Sequence, residues 1–270
     1  MSIAFEDNPE IQNIIEIRGA HQSYDGGKTN IIENLDLLIE DKPMQGQFAV
    51  ILGMSGCGKS TLLRYIAGLQ QPSSGTVLVK GEEVSAANRV SMVFQQYSSL
   101  PWMSVLDNVG LGLRFQGISK KERDERPMEM IQLVGLDGHE KKFAQYPTLS
   151  GGQLQRVAIA RSLMSNPEIL LMDEPFGALD VKTRLQMQDL LIGIWEKFSP
   201  TILFVTHDIH EAVYLADDIF IMKHAPSCFV KHINVDLPFN RNRETKRLHR
   251  FDELVHEVED AMMQIESTGE

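Results

Sequence analysis

The sequence predicts an α/β fold with a mainly parallel sheet, and three observations lead there. Short continuous apolar runs at 48–52, 169–172 and 201–205 read as strands buried on both faces. Helix-like stretches separate such runs, and strands alternating with helices give a parallel sheet. One glycine-rich stretch, Gly53-Met54-Ser55-Gly56-Cys57-Gly58-Lys59-Ser60-Thr61, joins the 48–52 run to a helix-like segment at 62–69. It fits G-x-x-x-x-G-K-[ST], the phosphate-binding P-loop. Glycines let the backbone curl around phosphate oxygens, where a Cβ would block the approach. Unpaired N–H groups at the helix start, together with the helix dipole, then favour the anion. In this pattern Lys59 places its charge on the β- and γ-phosphates and Ser60 holds Mg²⁺.

The elements follow in order. Residues 1–13 read as a polar leader, and 14–20 alternate like an edge strand. Tyr24 precedes the turn signal Asp25-Gly26-Gly27. A second strand spans 31–39, where Leu35, Leu37 and Ile39 alternate with Asn34, Asp36 and Leu38, and 41–47 is a loop. After the 62–69 helix come a turn at 71–75, a strand at 76–79, a turn at 80–82 and a strand at 91–94 that ends at Gln95. From 96 to 165 the β signal fades into a largely helical insert, with one helix over 105–113 and another over 122–134. Pro127 should kink that second helix or sit in its first turn. The 169–172 strand ends at Asp173-Glu174, and 181–198 is an amphipathic helix. The 201–205 strand ends at Thr206-His207-Asp208, followed by a helix at 209–216 and a strand at 218–222.

In such sheets the site lies at the carboxyl ends of the strands. The P-loop, Gln95, Asp173-Glu174 and His207 all follow predicted strands. In the tail, Ile233, Val235 and Leu237 alternate as a strand that Pro238 breaks. Leu248, Phe251, Val255, Val258, Met262 and Ile265 form one apolar helical stripe. It is read as covering the domain's own surface, since an exposed stripe would be a liability.

Composition narrows the function classes. The 270 residues suffice for one large domain with appendages, and the 43% hydrophobic content suits a globular core. A net charge of −11 argues against nucleic-acid binding by counterion release. Two cysteines, Cys57 and Cys228, make no disulfide framework, and Cys57 inside the P-loop reads as a small filler. The first residues lack a signal-peptide pattern. No uncharged apolar stretch is long enough to span a bilayer, so a membrane role must run through a partner.

A second motif, Leu149-Ser150-Gly151-Gly152-Gln153, precedes a helix at 154–163. By itself it is a helix N-cap at Ser150 with a glycine turn. It is equally a second anion cradle. The order of P-loop, Gln95, LSGGQ, Asp173-Glu174, Ala178-Leu179-Asp180 and His207 resembles the nucleotide-binding subunit of an ABC transporter across nearly all of 14–225. Residues 226–270 are a C-terminal strand and helix extension. The resemblance implies a P-loop NTPase fold with a mainly parallel core, an antiparallel β edge and a helical subdomain at about 96–165. It implies ATP and Mg²⁺ as ligands, and ATP hydrolysis coupled to transmembrane transport. Two copies pair head to tail, each ATP lying between the P-loop of one subunit and the LSGGQ of the other.

Roles carry over where residues match. Tyr24 resembles the aromatic that stacks on adenine, and Gly53 to Thr61 the Walker A loop. Gln95 resembles the residue that senses Mg²⁺ and the attacking water and relays to the membrane subunit. Asp173 resembles the Walker B acid that orients Mg²⁺, and Glu174 the group that polarises the water. Asp180 resembles the aspartate that contacts the opposite subunit, and His207 the switch histidine on the γ-phosphate. Ser150, Gly151, Gly152 and Gln153 belong to the surface that reaches the partner's ATP.

Val93-Phe94-Gln95-Gln96-Tyr97, Leu100-Pro101-Trp102-Met103-Ser104-Val105 and Met172-Asp173-Glu174-Pro175-Phe176-Gly177 are similar to bacterial importers of the nitrate, sulfonate and taurine group. That similarity implies permease partners, indirect dependence on a periplasmic binding protein, and a place on the cytoplasmic face of the inner membrane. Met54 stands where the group usually has Pro. The alternatives are an exporter ATPase or an ABC ATPase outside transport. About ninety residues between P-loop and LSGGQ leave no room for the long coiled coil of the DNA-repair type. One cassette, with Lys59 and Glu174 both present, differs from translation-factor and inactive types.

Overall fold

The computed structural model describes residues 12–26, 28–42, 46–85 and 88–268. Its elements are β1 (Asn13–Ser23), β2 (Asn30–Glu40), β3 (Gln47–Leu52), α1 (Lys59–Ile66), β4 (Ser74–Val79), β5 (Glu82–Glu83), β6 (Ser91–Val93), α2 (Val105–Val109), α3 (Leu111–Phe115), α4 (Lys120–Leu133), α5 (Gly151–Leu163), β7 (Ile169–Asp173), α6 (Val181–Phe198), β8 (Thr201–Thr206), α7 (Ile209–Leu215), β9 (Asp218–Met222), β10 (Phe229–Asn234) and α8 (His249–Thr268). Most of the predicted leader, Gly27 of the predicted turn and 43–45 of the predicted loop lie outside the described residues. The chain divides into two compact units, 1–90 with 199–270, and 91–198.

In the first unit, an antiparallel sheet runs β2-β1-β4-β5. The expected edge strand β1 is therefore interior, with β2 on one side and β4 on the other. Its alternation marks one buried face, but alternation is blind to whether both backbone edges are paired. In a second sheet β3 lies parallel to both β8 and β9, and β10 pairs antiparallel with β9. Every residue of β3, β8 and β9 is buried. Each Leu, Ile or Phe so placed contributes roughly 1.5–3 kcal/mol. This fixes the carboxyl end of β3, where the P-loop begins.

At the other end of these strands, Asp218 gathers Gln47 Nε2 (2.6 Å), His232 Nε2 (2.8 Å), Asn234 Nδ2 (3.3 Å) and Lys42 Nζ (3.6 Å). Burial pushes its carboxyl up, but these donors outweigh it and hold the group at about 2. The tail differs from expectation at its strand. β10 ends at Asn234, and the Val235 N–H adds one last bond in the same register, to the Asp217 carbonyl at 2.8 Å. Leu237 lies beyond the strand, and both Val235 and Leu237 are buried. α8 packs on α7, with Phe251 stacked on His210. Of the predicted stripe, Phe251, Val255 and Val258 are buried as expected for a helix that covers its own domain, Met262 and Ile265 are half-buried, and Leu248 is exposed. Buried Arg241 ties the tail down through Asp217 (2.7 Å) and the Leu215 carbonyl at the end of α7.

In the second unit β6 and β7 are parallel neighbours, joined by α2–α5 and followed by α6. The single helix expected at 105–113 is two short helices that meet at Gly110. A Cβ on Gly110 would lie a tight 3.2 Å from both the Arg123 carbonyl and Pro127 Cγ, so α4 approaches this junction closely. Pro127 lies inside α4 and not in its first turn.

Candidate active site

The P-loop leaves buried β3 and re-enters helix at Lys59. Gly56 and Gly58 take left-handed conformations, φ 83° and 93°, which side-chain-bearing residues rarely adopt. Gly58 caps α1 and offers no side chain to its first-turn N–H groups. Met54, Ser55 and Gly56 form an exposed rim, while Cys57 is buried beneath them as a filler. Lys59 is only 4% exposed, and its Nζ donates to the Gly53 and Met54 carbonyls at 2.8 and 2.9 Å. An ammonium held this way sits against the loop, where phosphate oxygens can replace carbonyls as acceptors. Ser60 and Thr61 follow, half-buried, in the first turn of α1.

Tyr24 stands 64% exposed, with its Oη accepting from Gln70 Nε2 at 3.0 Å. Gln70 also donates to Gln22 Oε1 (3.2 Å), which accepts from Tyr65 Oη (2.5 Å). The aromatic is therefore tethered at its hydroxyl while its ring stays open. Asp25, legible only as a turn former, organises the next residues: Oδ1 accepts from Ser23 Oγ, Lys28 N and Thr29 N at 2.8–2.9 Å. Hydrogen bonds from Thr29 first, then from Ser23 and Lys28, hold its carboxyl at about 2.

His207 is exposed one residue beyond β8. Both neighbours are committed. Thr206 Oγ1 donates to Glu211 Oε2 (2.6 Å) and accepts from the Asp208 N–H (3.0 Å), and Asp208 caps α7 through the Glu211 N–H (3.0 Å). These bonds fix the backbone that presents the imidazole.

In the second unit Asp173 is buried at the last position of β7. Glu174 follows at φ 40°, an unusual backbone state for a residue with a side chain. Its Oε2 accepts from Gln95 Nε2 at 3.4 Å, so the structure brings these two predicted residues together. Asp180 caps α6 through the Thr183 N–H at 3.0 Å, and hydrogen bonds from Thr183 hold its carboxyl below the usual range. Arg161 fastens the loop after Gln95, donating to the Ser98 carbonyl and Oγ at 2.8 Å each.

The LSGGQ segment opens α5 with a reciprocal cap. Gln153 N donates to Ser150 Oγ (3.3 Å), and Ser150 N donates to Gln153 Oε1 (2.9 Å). The glycines have a steric reason beyond the turn. A Cβ on Gly151 would meet Tyr97 Oη at 2.2 Å, and one on Gly152 would meet Thr183 Cγ2 at 2.5 Å.

Residues 39–177 match the ABC transporter family. The chain belongs to that family. It is 41% identical to the nitrate import ATP-binding protein NrtD of Synechocystis sp. over 240 residues, covering 87% of this chain and 88% of that one. It is 48% identical to the taurine import ATP-binding protein TauB of Rhizobium johnstonii over 207 residues, covering 76% and 78%. Among solved structures it is similar to the dimeric post-hydrolysis state of the ATP-binding cassette MJ0796 bound to ADP and Pi. There the TM-score is 0.70 at 30% identity, over 82% of this chain and 98% of that chain.

As an ABC ATPase the chain hydrolyses ATP, and its residues fit the ligands that this requires. A left-handed glycine cap and a buried ammonium suit a polyphosphate. For Mg²⁺, a hydroxyl and one carboxylate are enough when phosphate and water complete the shell. Among the described residues no group of three His, Cys, Asp or Glu is placed to hold a metal by itself. Sequence reasoning missed the parts that Asp25, Tyr97 and Thr183 play around these motifs. Only Asp25 carried a local signal, the Asp-Gly turn pair.

Proposed function

We propose that this chain is the ATP-hydrolysing subunit of a bacterial importer of small anions of the nitrate, sulfonate or taurine type. It works as a head-to-tail pair on the cytoplasmic face of the inner membrane, below permease chains served by a periplasmic binding protein. One observation supports the pairing above others: of the two glycine-rich motifs at helix starts, the P-loop and LSGGQ, only the P-loop includes a cationic residue within the motif. An LSGGQ helix with no lysine of its own suits an ATP whose charge is already met by Lys59 of another copy. The import-system names of NrtD and TauB support the direction and the substrate class.

Each residue then has a role. Lys59 and the α1 N-terminus neutralise the phosphates, Ser60 and Asp173 hold Mg²⁺ with Gln95 alongside, and Tyr24 stacks on the base. Glu174 polarises the water and accepts its proton as oxygen bonds to the γ-phosphorus. The β–γ bridging bond breaks to give ADP and phosphate. Positioning and charge neutralisation supply most of the rate. His207 faces the γ-phosphate, and Asp180 with Ser150, Gly151, Gly152 and Gln153 completes the partner's site.

Trp102, 71% exposed, supports permease docking. Backbone bonds from Val105 N to Lys142 O and from Ala144 N to Met103 O set the exposed Phe143 on the neighbouring segment. The test is purification from native membranes in mild detergent. A co-purifying permease whose ATPase activity rises with a binding protein and its anion supports import. A permease that ignores every binding protein would sink it. In the same complex Glu174→Gln should lower kcat at least about a hundredfold and keep ATP bound.

A further inference from the structure

We propose that His139 is a positioning residue for the LSGGQ motif, acting through Gln153; this rests on the reading of Gln153 as a contact to the partner's ATP. The hydrogen bonds assign every proton. Ser150 N–H donates to Gln153 Oε1 at 2.9 Å, so the amide oxygen faces the helix start. The amide NH₂ therefore points the other way, where His139 Nε2 lies 3.0 Å from it. An NH₂ group only donates, so Nε2 is the bare acceptor nitrogen and the ring proton sits on Nδ1. Nδ1 lies 3.0 Å from the Asp137 carbonyl, an acceptor that requires that proton. One neutral tautomer satisfies the whole chain of contacts.

The reciprocal cap uses only the oxygen half of the Gln153 amide. His139 takes up the half that the cap leaves over. The terminal torsion of a glutamine is otherwise broad, and here it is fixed from both sides. A side chain already in place loses less entropy when a partner's nucleotide docks on it. The turn that carries His139 is itself anchored. Gly138 N donates to Glu140 Oε1 at 2.8 Å, His139 N to the Leu136 carbonyl at 3.1 Å, and Leu106 N at the start of α2 to the Glu140 carbonyl at 3.0 Å.

The test uses the full chain carrying Glu174→Gln, with MgATP as the probe and dimerisation followed by analytical ultracentrifugation. Adding His139→Ala should weaken MgATP-driven dimerisation by roughly threefold to tenfold, the worth of one such hydrogen bond. MgATP affinity measured on the monomer should not change. His139→Gln, whose Oε1 can accept from the Gln153 amide, should restore most of the loss. His139→Phe, which fills the space but accepts nothing, should not. Unchanged dimerisation in His139→Ala overturns the proposal, and so does equal rescue by Phe and Gln. Gln153→Ala separates the layers: if it leaves dimerisation intact, the signature reading itself fails.

Discussion

At the P-loop, α1 begins on a left-handed glycine with no capping side chain, and a buried lysine folds back onto the loop carbonyls. At LSGGQ, α5 begins on a serine whose hydroxyl and amide are both spoken for by Gln153, with Tyr97, Thr183 and His139 pressed around it. Both are glycine-rich helix starts, yet they are built for different tasks. The first has no capping side chain and brings its own cation. The second spends its cap on holding one shape, which suits the proposed role of a surface presented to a ligand on another subunit. A glycine motif is therefore not one device; what surrounds it decides whether it binds or presents.

The comparison breaks most sharply at Lys59. Lys59→Ala should lower ATPase activity at least about a hundredfold and abolish MgATP binding by the monomer. Activity near the parent's in the purified complex would mean that the P-loop does not act as a self-sufficient cradle.

Gly152→Ala probes the other side. The added methyl meets Thr183 Cγ2, and overpacking of this kind costs about 1–3 kcal/mol, read from urea unfolding. Combining it with Thr183→Ser, which removes that methyl, should return most of the stability. Failure of the pair to recover would place the need for glycine in the turn and not in Thr183.

Smaller effects sharpen the contrast. Tyr24→Ala should weaken MgATP binding by the monomer about fivefold to tenfold, the scale of one base–aromatic stack. Isothermal titration checks it, and no change would remove Tyr24 from the site. Ser150→Ala should leave monomer binding untouched while lowering unfolding stability by about 1 kcal/mol, the usual worth of an N-cap. A loss of monomer affinity in that variant would erase the distinction between the two helix starts.

The P-loop, the acids after β7 and the helices at 181–198 and 249–268 were legible because each depends on residues close in sequence. A glycine pattern, a buried apolar run or a 3.6-residue stripe is a local signal. Less legible was β1, whose interior place depends on β4 arriving from across the chain. The close approach of Pro127 and Arg123 of α4 to Gly110 is likewise a contact across the chain. The last backbone bond of β10 on β9, from the Val235 N–H to the Asp217 carbonyl, depends on a segment that sequence patterning does not point to. Nothing near these positions announced the partner.

The sequence by itself determined most of the strands and helices, the P-loop and LSGGQ motifs and the family to which they point, since residue type and spacing set those directly. Tertiary structure alone decided which side chains press on Gly151 and Gly152, which tautomer His139 holds and which half of the Gln153 amide is left for it. Those depend on contacts between segments far apart in the chain, and a contact of that kind exists only once the backbone has closed around it.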